Sequence, residues 1–146
     1  MTLLNVTNNN RINRAQRRGD DLSNDGVLTL PAALQSVRLA RTFVREHCAE
    51  QALPAELCDD AVLLTSELVS NAVMHGRSEV QLRVGRKGRC LHVSVHDENS
   101  RHPTRVRDDP NALDGRGLSL VAELASAWGV QDDPTGKAVW FELALP

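Results

Sequence analysis

The chain has no apolar run approaching the roughly 20 residues that a membrane-spanning helix needs, and it shows no cleavable hydrophobic leader. A cytoplasmic protein without membrane contact is the expectation. It also lacks an excess of one charge: 17 lysines and arginines face 19 aspartates and glutamates, a formal net charge of -2. That balance gives no support for direct nucleic-acid binding. The basic cluster Arg11, Arg14, Arg17 and Arg18 is offset by Asp20, Asp21 and Asp25 within an Asn-rich segment without apolar periodicity. Residues 1–26 therefore read as a mobile polar tail and residues 27–146 as one domain. Cysteine is scarce. Cys48, Cys58 and Cys90 are odd in number, and their spacing suits neither a disulfide framework nor a zinc site, so reduced structural thiols are expected. His92 and His96 share the outward face of a strand and read as solvated side chains rather than metal ligands. What is present, 146 residues with 41% hydrophobic and 25% charged, is ordinary for a globule with a single core.

Against that background the segment Glu67-Leu-Val-Ser-Asn71-Ala-Val-Met-His75-Gly76 stands out. At the helical period, Leu57, Ala61, Leu64, Leu68 and Ala72 form one stripe, with Asn71 within its arc and Glu67 at its edge. A carboxylate and an amide one turn apart on such a face need partners, because burying them unpaired is costly. A buried polar network, a helix-end cap and a ligand site all satisfy that need.

Downstream, Gly115-Arg-Gly117-Leu-Ser-Leu-Val121 opens an amphipathic run through Ala127. Glycines at a helix start let backbone approach a ligand, and the free amides of the first turn favour an anion. The third glycine of a dinucleotide fingerprint and the Gly-Lys-Ser/Thr ending of a Walker loop are both missing. An ordinary turn carries the same pattern. A third element, Leu91-His-Val-Ser-Val-His-Asp97, alternates so that Asp97 shares parity with Leu91, Val93 and Val95. Its carboxylate is thus aimed into the interior just where the strand ends. There it either forms a turn or accepts from an amine such as that of adenine.

In this order the three segments resemble the GHKL ATPase superfamily, which includes histidine kinases and type II topoisomerases. The likeness covers about the last three-quarters of the chain and is nearer to the small anti-sigma factor serine kinases, through Leu64–His75, Val95–Asp97, Gly115–Val121 and Gly136–Glu142. The resemblance implies ATP or ADP and Mg²⁺ as cofactors, with Asn71 as the Mg²⁺ ligand and Glu67 as the general base toward a seryl hydroxyl. It implies Asp97 on the adenine amine, and Gly115, Arg116, Gly117 and Leu118 along the phosphates. Two departures stand out: Asp97-Glu98-Asn99 where many members carry Asp-x-Gly, and Ala138 where a threonine is common near the base.

The remaining pattern fits an α/β two-layer sandwich of the Bergerat type, a mixed, mostly antiparallel sheet covered on one face by helices. Val27–Leu30 reads as a short edge strand, followed by a helix after Pro31 that ends near Glu50, and another from about Ala55 to His75. Strands near Glu79–Gly85 and Arg89–Asp97 join through an Arg86-Lys-Gly88 hairpin turn. Trp140 and Phe141 face opposite ways on the last strand, so one needs cover outside the main core. Residues 98–114 form a long polar connection that the resemblance identifies as an ATP lid, with Arg101, Arg105 and Arg107 as candidate γ-phosphate contacts.

Three functions are then distinguishable. One is an anti-sigma factor with ATP-dependent serine kinase activity, whose partners are a sigma factor and an anti-anti-sigma protein. Another is a nucleotide-binding regulator that acts through protein contacts alone. A sensor histidine kinase is disfavoured, because no dimerising, histidine-bearing helical pair precedes the ATPase unit. A homodimer is compatible with all of these.

Overall fold

The computed structural model describes residues 22–75, 78–98 and 113–146, with the side chains of residues 22–24, 75 and 113–117 left aside. Its elements run β1 (Leu22–Leu30), α1 (Gln35–Glu50), α2 (Ala55–His75), β2 (Val80–Lys87), β3 (Cys90–Asp97), α3 (Leu113–Leu124), β4 (Ala127–Asp133) and β5 (Gly136–Ala144). The five strands form one sheet in the order β1-β2-β3-β5-β4. Every pair among the described residues is antiparallel, which bears out the expected α/β sandwich with a mostly antiparallel sheet.

The period-2 patterns dictate the layering. On β3, Leu91, Val93, Val95 and Asp97 are buried while the alternate residues are half-buried, and β5 repeats this with Val139, Phe141 and Leu143. That face meets α1, α2 and α3, whose apolar stripes supply Ala40, Val44, Ala61, Leu64, Leu68, Val69, Leu118 and Val121 to a shared core. Fully burying side chains of this kind contributes about 1.5–3 kcal/mol each before chain entropy is set against it. The other face of the sheet carries no helix among the described residues.

Three local features differ from expectation. β1 starts at Leu22, inside the stretch expected as tail. A bulge between Ser23 and Gly26 lets the strand absorb Ser-Asn-Asp-Gly, a run that reads as turn-forming. Asp25, counted among the tail's balancing charges, is only 1% exposed and lies against Gly85. β4 is an additional strand; it is short, half-buried and at the sheet edge, so its alternation is faint. The β2–β3 hairpin turns at Gly88, whose φ of +60° is the left-handed geometry expected of that glycine.

Trp140 and Phe141 do face opposite ways. Phe141 is fully buried in the core. Trp140 finds its cover on the open face, stacked on His92 with ring centroids 5.6 Å apart and lying over the bare Cα of Gly129.

Candidate functional site

Helix α2 delivers the first pair. Glu67 and Asn71 lie one turn apart on the same side, both half-buried, while Leu64, Thr65, Leu68, Val69 and Ala72 around them are buried. Asn71 therefore sits on the flank of the apolar stripe rather than within it. The Glu67 carboxylate makes no hydrogen bond or ion pair to another described residue. A network-anchoring carboxylate would be tied down by such bonds, so the arrangement leaves this oxygen pair available for chemistry at the edge of the helix layer.

Strand β3 delivers Asp97. Its parity carries the carboxylate onto the helix-covered face, where it is 3% exposed. There it is held by Lys137, whose Nζ donates to Oδ1 at 3.0 Å and to Oδ2 at 3.2 Å. The two residues are cross-strand partners in the β3–β5 ladder. Lys137 shares parity with Val139, Phe141 and Leu143, so it points inward and is only 6% exposed. The reading of Ala138 as the position near the base is corrected by this register. Ala138 lies on the opposite face, beside His96, and the residue that meets Asp97 is Lys137. The signal was in the sequence, since a lysine two residues before Val139 on an alternating strand has to point the same way as the valine.

The helix starts at Leu113, ahead of the glycines expected to open it: Gly115 and Gly117 lie within the opening turns of α3, with Arg116 between them, and Leu118 is buried just beyond. Of the connection expected as a lid, Arg101, Arg105 and Arg107 lie outside the described residues, as does Asn99. Helix α2 packs against both α3 and β3, so the carriers of Glu67 and Asn71, of the glycines, and of Asp97 belong to one helix–sheet unit.

A second polar region lies on the open face. A cleft of about 550 Å³ is lined there by Thr29, Gln81, Ser94, His96, Gln131 and Ala138, among others. It is separated from Asp97 by the sheet itself. The histidines expected to be merely solvated are bonded here: His92 Nδ1 lies 2.9 Å from Glu142 Oε2, and His96 Nε2 lies 2.9 Å from Asp133 Oδ2. Thr135 holds the Asp133 carboxyl below the usual carboxylate range, chiefly through its hydroxyl and then its backbone N–H, with His96 adding to the effect. Among the described residues no group of His, Cys, Asp and Glu is arranged to hold a metal ion. The cysteines are free thiols, and burial together with a hydrogen bond to Cys58 pushes the Cys48 thiol up to about 12. No helix among the described residues is long and apolar enough to cross a membrane.

Comparison with known proteins places this geometry. No curated protein sequence matches the chain. Among solved structures, the RsbU and RsbW domains of Rv1364c from Mycobacterium tuberculosis superpose with a TM-score of 0.66 at 22% identity, covering 84% of this chain and 33% of that one. The chain thus spans about a third of that relative's length. The histidine kinase domain of a blue-light activated histidine kinase from Erythrobacter litoralis EL346 matches at 26% identity over 79% of this chain and 61% of that one, with a TM-score of 0.49. The family model for the histidine kinase-like ATPase domain matches residues 30–143, from the end of β1 to the last strand. With most of the chain matched and the antiparallel sheet and helix layer in place, this protein belongs to the histidine kinase-like ATPase domain family.

Proposed function

We propose that the protein is an ATP-binding regulator that acts as an anti-sigma factor and transfers the γ-phosphoryl group to a serine of an anti-anti-sigma partner. The observation that carries this reading is the Glu67–Asn71 pair: half-buried, on one side of α2, with a carboxylate unclaimed by any other described residue. Family membership supports nucleotide binding. A protein kinase of this kind needs little covalent chemistry and acts mainly by positioning and charge stabilisation.

The donor set fits the cofactors. Asn71 offers a neutral oxygen to a hard cation, and the opening turn of α3 offers backbone N–H groups to phosphate. A Mg²⁺ ion held there by Asn71 would supply neutralisation of charge on the phosphates. Glu67 would take the proton from the incoming seryl hydroxyl as its oxygen bonds to the γ-phosphorus and ADP leaves, a step for which a carboxylate at the edge of the apolar layer is better suited than one locked in a network. Asp97 lies at the base end, with Lys137 on both of its oxygens.

A nucleotide-binding regulator without phosphotransfer is the second reading, because family membership bears on nucleotide binding and not on phosphotransfer. Incubation with labelled ATP, Mg²⁺ and candidate serine-bearing antagonists separates the two. Label on a partner serine that is lost with Glu67→Ala supports the kinase; ATP binding with no labelled partner supports the regulator.

A further inference from the structure

Taking Asp97 as the base-facing carboxylate of the proposed nucleotide site, we propose that Lys137 is an intramolecular competitor for the nucleobase. Its ammonium occupies the acceptor that adenine's exocyclic amine would use. The chain then binds adenine nucleotides weakly and with little preference over guanine nucleotides.

Three observations carry this. The ammonium reaches both carboxylate oxygens, at 3.0 and 3.2 Å, so neither oxygen is left to a neutral donor without competition. The side chains of Lys137 and Asp97 are 7% and 4% exposed, so little water competes for the contact between them. The backbone offers no slack: Gly136 packs so closely that a Cβ there would overlap the carbonyl oxygen of Asp97. The neighbours thus hold Lys137 opposite Asp97 in the ladder, and it cannot drift out of register.

The energetics follow from the kind of bond. A hydrogen bond between ionised groups is roughly twice as strong as one from a neutral donor, so an aromatic amine is the weaker contender for the same carboxylate. Lysine can still yield, because its flexible stem swings the ammonium away without moving the strand. Lys137 therefore lowers affinity rather than abolishing it. Burying an ion pair where an apolar pair would pack is seldom justified by stability alone. Guanine places a carbonyl where adenine has its amine, and it gains nothing when the carboxylate there is released.

Calorimetry on the full chain with Mg-ADP and Mg-GDP tests the proposal in the wild type, Lys137→Met and Lys137→Thr. Both variants should bind ADP about tenfold more tightly, and GDP by less than about threefold more tightly. The threonine variant keeps a donor near Asp97 and provides the measurement should the methionine variant misfold. Equal gains for both nucleotides would mean that a general loosening had opened the pocket, and they overturn the competitor role. Unchanged or weaker ADP binding overturns it too. An Asn71→Ala arm isolates the underlying reading. Binding that depends on Asn71 yet ignores Lys137 defeats the competitor alone. Absence of ADP binding in all proteins defeats the nucleotide site and the competitor with it.

Discussion

Gly136 and Asp97 touch backbone to backbone: Gly136 has φ +152°, and a Cβ built on it would overlap the carbonyl oxygen of Asp97 and crowd the Cα of Glu98. No rotamer change relieves a clash between two main chains. Gly136→Ala should therefore cost at least about 2 kcal/mol, from strain and displacement at the β3–β5 junction. Gly88→Ala is the control. Gly88 has φ +60° with open space around it, so only the left-handed conformation is penalised, at about 1 kcal/mol. Urea unfolding of the two variants measures the contrast, and equal losses would show that the close approach at Gly136 is relieved cheaply.

Thr65 offers the opposite sign. Its side chain is fully buried in α2, and Oγ1 has no hydrogen-bond partner among the described residues, whereas the neighbouring Ser66 hydroxyl donates to the Val62 carbonyl at 2.9 Å. An unsatisfied buried hydroxyl costs more than its methyl replacement, and valine has nearly the same shape. Thr65→Val should stabilise the fold by about 1 kcal/mol, raising Tm by a few degrees. A lower Tm would reveal a role for the hydroxyl that the packing does not display.

These two positions bear on what the sequence disclosed. The helix carrying Glu67 and Asn71 was legible to its last residue, because twenty-odd positions of apolar period leave little freedom. Strand parity was legible as well: Asp97 had to be inward because Val95 is. The partner of Asp97 was not read, although Lys137 obeys the same rule two residues before Val139. Parity alone names no partner, and only the β3–β5 register brings the lysine opposite an inward aspartate. β4 was missed for a different reason. An edge strand whose residues are half-buried or exposed needs no strong alternation, since one face and one edge are open to water. The extension of β1 back to Leu22 depended on a bulge, which no local pattern of Ser-Asn-Asp-Gly announces.

The open face gives a pH-dependent prediction. Thr135 donates to Asp133 Oδ1 from its hydroxyl at 2.6 Å and from its backbone N–H at 2.8 Å, which depresses the carboxyl in the folded state. A group with a depressed folded pKa adds stability that is fully present above its unfolded pKa and is lost as the pH falls through the folded value. The stability gap between wild type and Asp133→Asn should be steady near neutrality and close only at acid pH, below the ordinary carboxylate range. Because the site is exposed, the gap should be small. Chemical denaturation across an acid series follows it, and a gap that closes nearer neutrality would overturn the assignment to the Asp133 carboxyl.

Thiol reactivity should divide the cysteines by burial. Cys48 and Cys58 are 0% and 8% exposed, and burial keeps the Cys48 thiol protonated up to about pH 12, whereas Cys90 is half-buried at the start of β3. The thiolate is the reactive form. Brief alkylation of the native protein at mildly alkaline pH should label Cys90 first, and peptide mapping should find Cys48 and Cys58 labelled only after denaturation. Early labelling of Cys48 would mean that the α1–α2 contact opens readily.

Glu67 remains the residue that separates catalysis from capture. A general base acts on proton transfer, not on nucleotide affinity, so Glu67→Gln should lower phosphotransfer to a partner serine by roughly 10² to 10⁴ while the Kd for Mg-ADP stays nearly constant. Glutamine keeps the volume and the polarity of the side chain, so helix α2 should melt as in the wild type. If the carboxylate instead anchored a structural network, Glu67→Gln would lower Tm and weaken nucleotide and partner binding together. The absence of any bond from Glu67 to the other described residues argues for the first outcome. Asn71→Ala should give the complementary pattern, a loss of Mg²⁺-dependent nucleotide affinity that precedes any effect on the chemical step. A stable Glu67→Gln protein with undiminished phosphotransfer removes the base from Glu67. Undiminished Mg²⁺ dependence in Asn71→Ala removes the metal from Asn71, and the two results are independent because each variant leaves the other residue in place.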